Sequence, residues 1–155
     1  GVQSCGASYN KGLLSTELRK QDHAANIEML RKTDAGIAKA IRFEKTDELD
    51  GRANFRCTTN DYLPIVGAVP NAEQFVEQYK DLRHDATSTI ENFGSYHPNL
   101  YIHCGLGSRG LSYAPLTAEI LAAEISAEIP PLERDLRLAM HPARFLIRDL
   151  KRRKI

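Results

Sequence analysis

Residues 105–110 read Gly-Leu-Gly-Ser-Arg-Gly, a literal G-x-G-x-x-G, and the segments on either side decide what such a loop can be. Residues 99–104 (Asn-Leu-Tyr-Ile-His-Cys) are strand-like, and residues 111–125 have the composition and length of a helix. Strand, glycine loop, helix is an order that gathers backbone N–H groups at a helix N-terminus, where they hold an anionic group. In a dinucleotide-binding turn the helix leads on to a second parallel strand, with an acidic residue about 20 positions along for the ribose. This chain reaches Glu128-Ile-Pro-Pro131 there, and proline has no N–H for a sheet ladder. An independent NAD domain is therefore excluded, and the loop is expected to contact a cofactor within a larger enzyme.

The 155 residues suffice for one domain with its own core, or for pieces of two. No signal-peptide pattern and no apolar run of about 18 residues is present, so a soluble, cytoplasmic chain is expected. The three cysteines, Cys5, Cys57 and Cys104, have no metal-like spacing and read as reduced thiols in or near a core; no zinc site is expected. Charge is uneven. Residues 134–155 carry eight Lys/Arg against Asp135 and Asp149, a net of +6 in a chain whose total is only +1. A mildly acidic body with a basic end suits a polyanionic partner; a solvated helix face is the plainer alternative.

Along the chain, residues 1–9 read as a strand ending in the turn at residues 9–12. Asp22 is placed to cap a helix running to Lys32, and Ile37, Ala40 and Ile41 have helical spacing. Residues 52–57 read as a strand, the Thr/Asn/Asp cluster at 58–61 as a turn, and residues 63–67 as a second apolar piece. Pro70-Asn71 opens a helix to about Leu82, with Phe75, Tyr79 and Leu82 on one side. The last element, 143–154, places Ala143, Leu146, Ile147 and Leu150 on one face, with Arg144, Arg148, Lys151 and Arg152 largely elsewhere.

Two arginines stand out. Arg109, held by the helix start, can face a phosphate, a carboxylate or a flavin edge, or pair at the surface with an acidic neighbour. Arg56, five residues before Asp61, can point into a cleft and grip a carboxylate with both arms of its guanidinium, or lie in solvent on an edge strand. The five histidines form no ligand pattern, and there is no serine elbow or P-loop, so hydrolase chemistry finds no support.

Three stretches together carry a resemblance: residues 55–67 (Phe-Arg-Cys-Thr-Thr-Asn-Asp-Tyr-Leu-Pro-Ile-Val-Gly), 105–115 (Gly-Leu-Gly-Ser-Arg-Gly-Leu-Ser-Tyr-Ala-Pro) and 141–150 (His-Pro-Ala-Arg-Phe-Leu-Ile-Arg-Asp-Leu). They closely resemble the C-terminal part of the bacterial family of bifunctional tRNA 5-methylaminomethyl-2-thiouridine biosynthesis proteins. The first two also occur, more loosely, in the D-amino-acid oxidase and glycine oxidase group of flavoproteins. In that family a methyltransferase domain using S-adenosyl-L-methionine is fused to an FAD-dependent oxidoreductase domain. The latter removes the carboxymethyl group from 5-carboxymethylaminomethyl-2-thiouridine at the tRNA wobble position, and the former methylates the resulting amine.

The resemblance implies an α/β fragment with α+β character from a D-amino-acid oxidase-like fold. Residues 1–60 would be part of the substrate-binding cap domain, and residues 61–155 the segment returning to the FAD-binding domain. Arg56, leading into the T-x-D-x-x-P stretch, would bind the substrate carboxylate. Gly105, Leu106, Gly107, Ser108, Arg109, Gly110 and Leu111 would lie against the flavin, with Arg109 beside the substrate. The basic residues Arg144, Arg148, Lys151 and Arg152 would contact tRNA phosphates. The rival reading is a non-catalytic tRNA-binding module using the basic final helix. The βαβ unit that holds the ADP part of FAD is not among these residues, so self-association of the fragment through uncovered strand edges is also expected.

Overall fold

A computed structural model describes residues 4–41, 49–90 and 94–155, which form two compact units dividing between Phe55 and Arg56. Among the described residues there are six α-helices and a two-stranded antiparallel sheet, the mixed α/β class expected. No described helix is long and apolar enough to cross a membrane.

The first unit is built on α1 (Lys20–Thr33) and α2 (Ala35–Ala40). The helix expected here is present, but Asp22 does not cap it. The helix starts two residues earlier, after an extended Arg19 with no side-chain cap, and Asp22 lies in the first turn, where Arg19 binds it through two N–H groups at 2.7 and 2.8 Å. A carboxylate there favours the helix by facing its positive end. Asp34 caps α2 by accepting from the Ile37 N–H at 2.9 Å. Residues 4–9 are not a strand, and residues 1–3 lie outside the described residues, as do residues 42–48 and 91–93.

In the second unit, β1 (Ile65–Pro70) pairs with β2 (Tyr96–Cys104), Ile65 opposite Cys104 and Val66 opposite His103, with a bulge between Ala68 and Pro70. Between them come α3 (Ala72–Gln78), capped by the Asn71 side chain, and a 3₁₀ turn, Lys80–Arg83. The helix expected to reach Leu82 thus stops at Gln78 and tightens, which still buries Phe75 and Leu82 and stacks Phe75 on Tyr79 at 4.2 Å. Gly94 lies against the Phe75 ring so closely that a Cβ would collide with it.

After β2 come α4 (Gly110–Ile125), α5 (Arg134–Met140) and α6 (Arg144–Lys151). Val66, Ile120 and Met140 form the core where α4 and α5 cover β1, with Leu63, Leu121 and Leu132 at its margin. Glu124 ties α4 to β1 by accepting from the Ala68 N–H at 3.0 Å. At the start of α6, His141 Nδ1 accepts from the Ala143 N–H at 3.1 Å, and burial holds the ring's pKa below its ordinary value; the neutral imidazole fits both facts. α5 was not expected from the sequence: its Leu136 and Leu138 are half exposed, and only Met140 is buried.

Candidate functional site

The glycine loop is shaped by its backbone. Gly105 and Gly107 have φ of +72° and +57°, a region open to glycine at little cost. Gly105 has a second constraint, since a Cβ there would stand 2.9 Å from the Thr59 methyl. Arg109 is the residue before α4, and its carbonyl accepts from the N–H groups of Ser112 and Tyr113 at 3.1 and 2.9 Å. The helix has no carbonyl for the N–H groups of Gly110 and Leu111, which stand at its positive end. Space around Gly110 is open, and the Leu111 side chain is 99% exposed. A glycine loop, two unpaired donors and an uncovered apolar side chain make a surface suited to a flat, electron-rich group.

A second loop, residues 57–64, lies against the first. Gly107 N–H donates to the Cys57 carbonyl at 3.0 Å, and Thr58 bridges Leu106 in antiparallel fashion. Residues 52–57, expected to be a strand, are irregular and exposed; pairing begins only at Thr58, as an isolated bridge. Strand alternation therefore does not orient Arg56, which is exposed one residue before Cys57. Within the loop, Thr59 Oγ1 donates to the Leu63 carbonyl at 2.7 Å, the Leu63 N–H donates to Asp61 at 3.2 Å, and Tyr62 takes a left-handed φ of 61°.

The third stretch reaches the same place through Arg144. Its Nε donates to Asp61 Oδ2 at 2.9 Å and its Nη2 to Asp61 Oδ1 at 3.0 Å, a two-pronged ion pair from a side chain only 11% exposed. Nη2 also donates to the Leu63 carbonyl at 3.0 Å, while Nη1 reaches the carbonyls of Met140 and His141 at 3.0 and 3.4 Å. The Arg144 bonds hold the Asp61 carboxyl well below the usual carboxylate range, against the opposing effect of partial burial. The segments 55–67, 105–115 and 141–150, far apart in sequence, meet at one junction.

Arg109 Nη1 donates to the Tyr113 hydroxyl at 3.3 Å, one turn along α4. Ser108 is exposed beside it. His103, at the end of β2, has Nε2 2.7 Å from Thr117 Oγ1; the buried Thr117 hydroxyl donates to the Tyr113 carbonyl at 2.8 Å, so it accepts from His103. That histidine is a brace between strand and helix. On α6, Arg148 lies half-buried over the Phe145 ring and near Asp149, whereas Lys151 and the following residue, Arg152, are exposed. Cys5 and Cys57 are exposed rather than in a core, and burial together with the neighbouring Cys57 pushes the Cys104 thiol up. A thiol held in that form is a poor nucleophile.

Sequence reasoning missed the Arg144–Asp61 pair and the His103–Thr117 brace. The first joins residues 83 positions apart, and no local spacing reports such a distance. The one available signal was an acidic residue, Asp61, inside a polar turn.

The chain is similar throughout to one kind of protein. It is 42% identical over 156 residues to the tRNA 5-methylaminomethyl-2-thiouridine biosynthesis bifunctional protein MnmC of Saccharophagus degradans, an alignment covering 100% of this chain and 22% of that protein. The MnmC proteins of Chromobacterium violaceum and Stutzerimonas stutzeri are 40% and 36% identical, over 100% and 98% of this chain and 24% and 23% of their own lengths. The chain thus spans less than a quarter of the length of the curated relatives it matches. No protein-family model matches it.

Proposed function

We propose that this chain is the C-terminal part of an FAD-dependent amine oxidoreductase within a protein that modifies the wobble uridine of tRNA, removing the carboxymethyl group from 5-carboxymethylaminomethyl-2-thiouridine. A methyltransferase portion of the same protein would then act on the exposed amine. The observation that carries this reading is the convergence of the three stretches on one junction, together with the relatives' name. The residues fit the cofactor. Residues 105–111 offer a glycine loop with open space at Gly110, two N–H donors at the start of α4, and Leu111 uncovered beside them. When bound, FAD supplies a two-electron acceptor for oxidation of the substrate's methylene carbon, after which water releases glyoxylate and leaves the aminomethyl nucleoside.

The chain's own residues bind and orient. Arg56, beside the Cys57 carbonyl that holds the Gly107 N–H, takes the substrate carboxylate. The positive end of α4 and the Arg109 guanidinium, propped by Tyr113, favour the negative charge that collects on reduction. Lys151, Arg152 and the partly covered Arg148 form a phosphate-contacting patch for tRNA, remote in chemistry from the oxidation itself. The open edges of the two-stranded sheet would be covered in the full-length protein; in the isolated chain they favour self-association.

The test is Arg56→Ala in the full-length protein. Loss of a charge-assisted carboxylate partner costs about 2–5 kcal/mol. Glyoxylate release from the modified tRNA should fall accordingly while the visible flavin absorption stays at the wild-type level. Turnover near wild type would remove Arg56 from the carboxylate role.

A further inference from the structure

We propose that Arg144, on the final helix, is a positioning residue for carboxylate-substrate recognition: it clamps the 59–63 loop against the glycine loop, and it is not a phosphate contact. The inference rests on the oxidoreductase reading above.

Donor arithmetic separates the two roles. A guanidinium has five N–H donors and no acceptor. Here Nε serves Asp61, Nη2 serves Asp61 and Leu63, and Nη1 serves Met140 and His141, so each donor has a partner within the chain. The Cζ atom of the group lies 4.1 Å from the Phe145 ring centroid. A phosphate could be bound only by surrendering bonds already made to a carboxylate and to backbone carbonyls. Lys151, at the end of the same helix, and Arg152, the residue after it, are by contrast exposed.

The links beyond Arg144 run to the proposed site without a gap. The Leu63 carbonyl takes Arg144 on one side and the Thr59 hydroxyl on the other, which fixes the Thr59 rotamer. The Thr59 methyl then sits where only a glycine fits, at Gly105. One residue back, Thr58 bridges Leu106, and the Cys57 carbonyl holds the Gly107 N–H. Arg56 is the next residue of that loop. Arg144 therefore sets the spacing between the carboxylate-binding arginine and the glycine loop while touching neither substrate nor cofactor. A lysine cannot replace it, because an ammonium is a point charge without the planar fork that meets both carboxylate oxygens and a carbonyl at once.

The experiment uses the full-length protein and the variants Arg144→Lys, Asp61→Asn and the double variant. With a small amine bearing a carboxylate as substrate, each single variant should raise KM about tenfold and leave kcat within about threefold, the split expected when binding geometry alone is disturbed. The double variant should lose no more than either single one, because both remove the same interaction. Flavin absorption and the salt dependence of tRNA binding should remain as in wild type. A merely stabilising arginine would lower the melting temperature without splitting KM from kcat, and that result overturns the proposal. So does a tRNA salt slope reduced by about one phosphate contact in Arg144→Gln. If Arg144→Lys does not fold, Asp61→Asn carries the same KM test, because it keeps the side chain's shape and removes its charge. Wild-type protein that holds no flavin or oxidises no such amine overturns the oxidoreductase reading and this inference with it; an active wild type whose variants keep their KM overturns this inference alone.

Discussion

The two units of the chain are held together in different ways. In the first, Ile27 is the only apolar side chain buried among its described residues, and most of its bonds are local, such as Arg19 with Asp22, Asp34 with Ile37 and Lys32 with Glu28; the longer ones, Cys5 to Asn26 and Asn10 to Asp22, are exposed. In the second, residues far apart in sequence meet repeatedly. Val66, Ile120 and Met140 pack together, Glu124 holds β1, and Arg144 holds Asp61. Local bonds specify a helix, but they do not fix one loop at a set distance from another. Long-range packing does, which is why the residues proposed to bind flavin and carboxylate all lie in the second unit. The exposed Leu14 and Met29 of the first unit are apolar surface with no core of their own to join.

The largest effect that can break this contrast is a core truncation in each unit. Ile120→Ala removes a side chain enclosed by strand and helices and should cost toward the upper end of about 2–5 kcal/mol. Ile27→Ala leaves a site whose neighbours can close over it and should fall near or below the lower end of that range, at about 2 kcal/mol. Native-state hydrogen exchange at the amides of α4 and α1 reads the two separately. Equal losses would mean that the first unit has a core as specific as the second.

A smaller effect sharpens the same contrast at the surface. Reversing Arg148, Lys151 and Arg152 to glutamate in the full-length protein should weaken tRNA binding and flatten its salt slope by up to about three contacts. Reversing Arg31 and Lys32 of α1, which lie beside Glu28 in the first unit, should leave that slope unchanged. A flattened slope in the α1 variant, or none in the α6 variant, would move the phosphate surface away from the final helix.

How much of this was legible in the sequence follows the same division. The glycine loop, the strand before it and the helix after it were readable because their signals are local: period, length and glycines at a turn. The apolar face of α6 was readable too, since Ala143 and Leu150 prove to be the fully buried positions. The strand expected at residues 52–57 failed because β-propensity describes a fit to a half-buried surface, and those residues are exposed and lie in no sheet. Asp22 has the chemistry of a cap yet sits one turn late, where Arg19 takes it. Arg144 shows the limit most clearly: its charge and helical position are the same as those of a surface arginine, and only its distant partner Asp61 reveals it as a clamp.

Residues 105–111, steadied by the loop at 57–64, are the proposed resting face for flavin. Hydrogen exchange of the full-length protein, with flavin bound and after its removal, tests this most directly. The amides of Gly110 and Leu111, which have no helical partner, should slow by at least about tenfold when flavin is bound, with lesser slowing at Gly107 and Ser108. Unchanged rates across 105–113, with protection appearing only elsewhere in the protein, would contradict it.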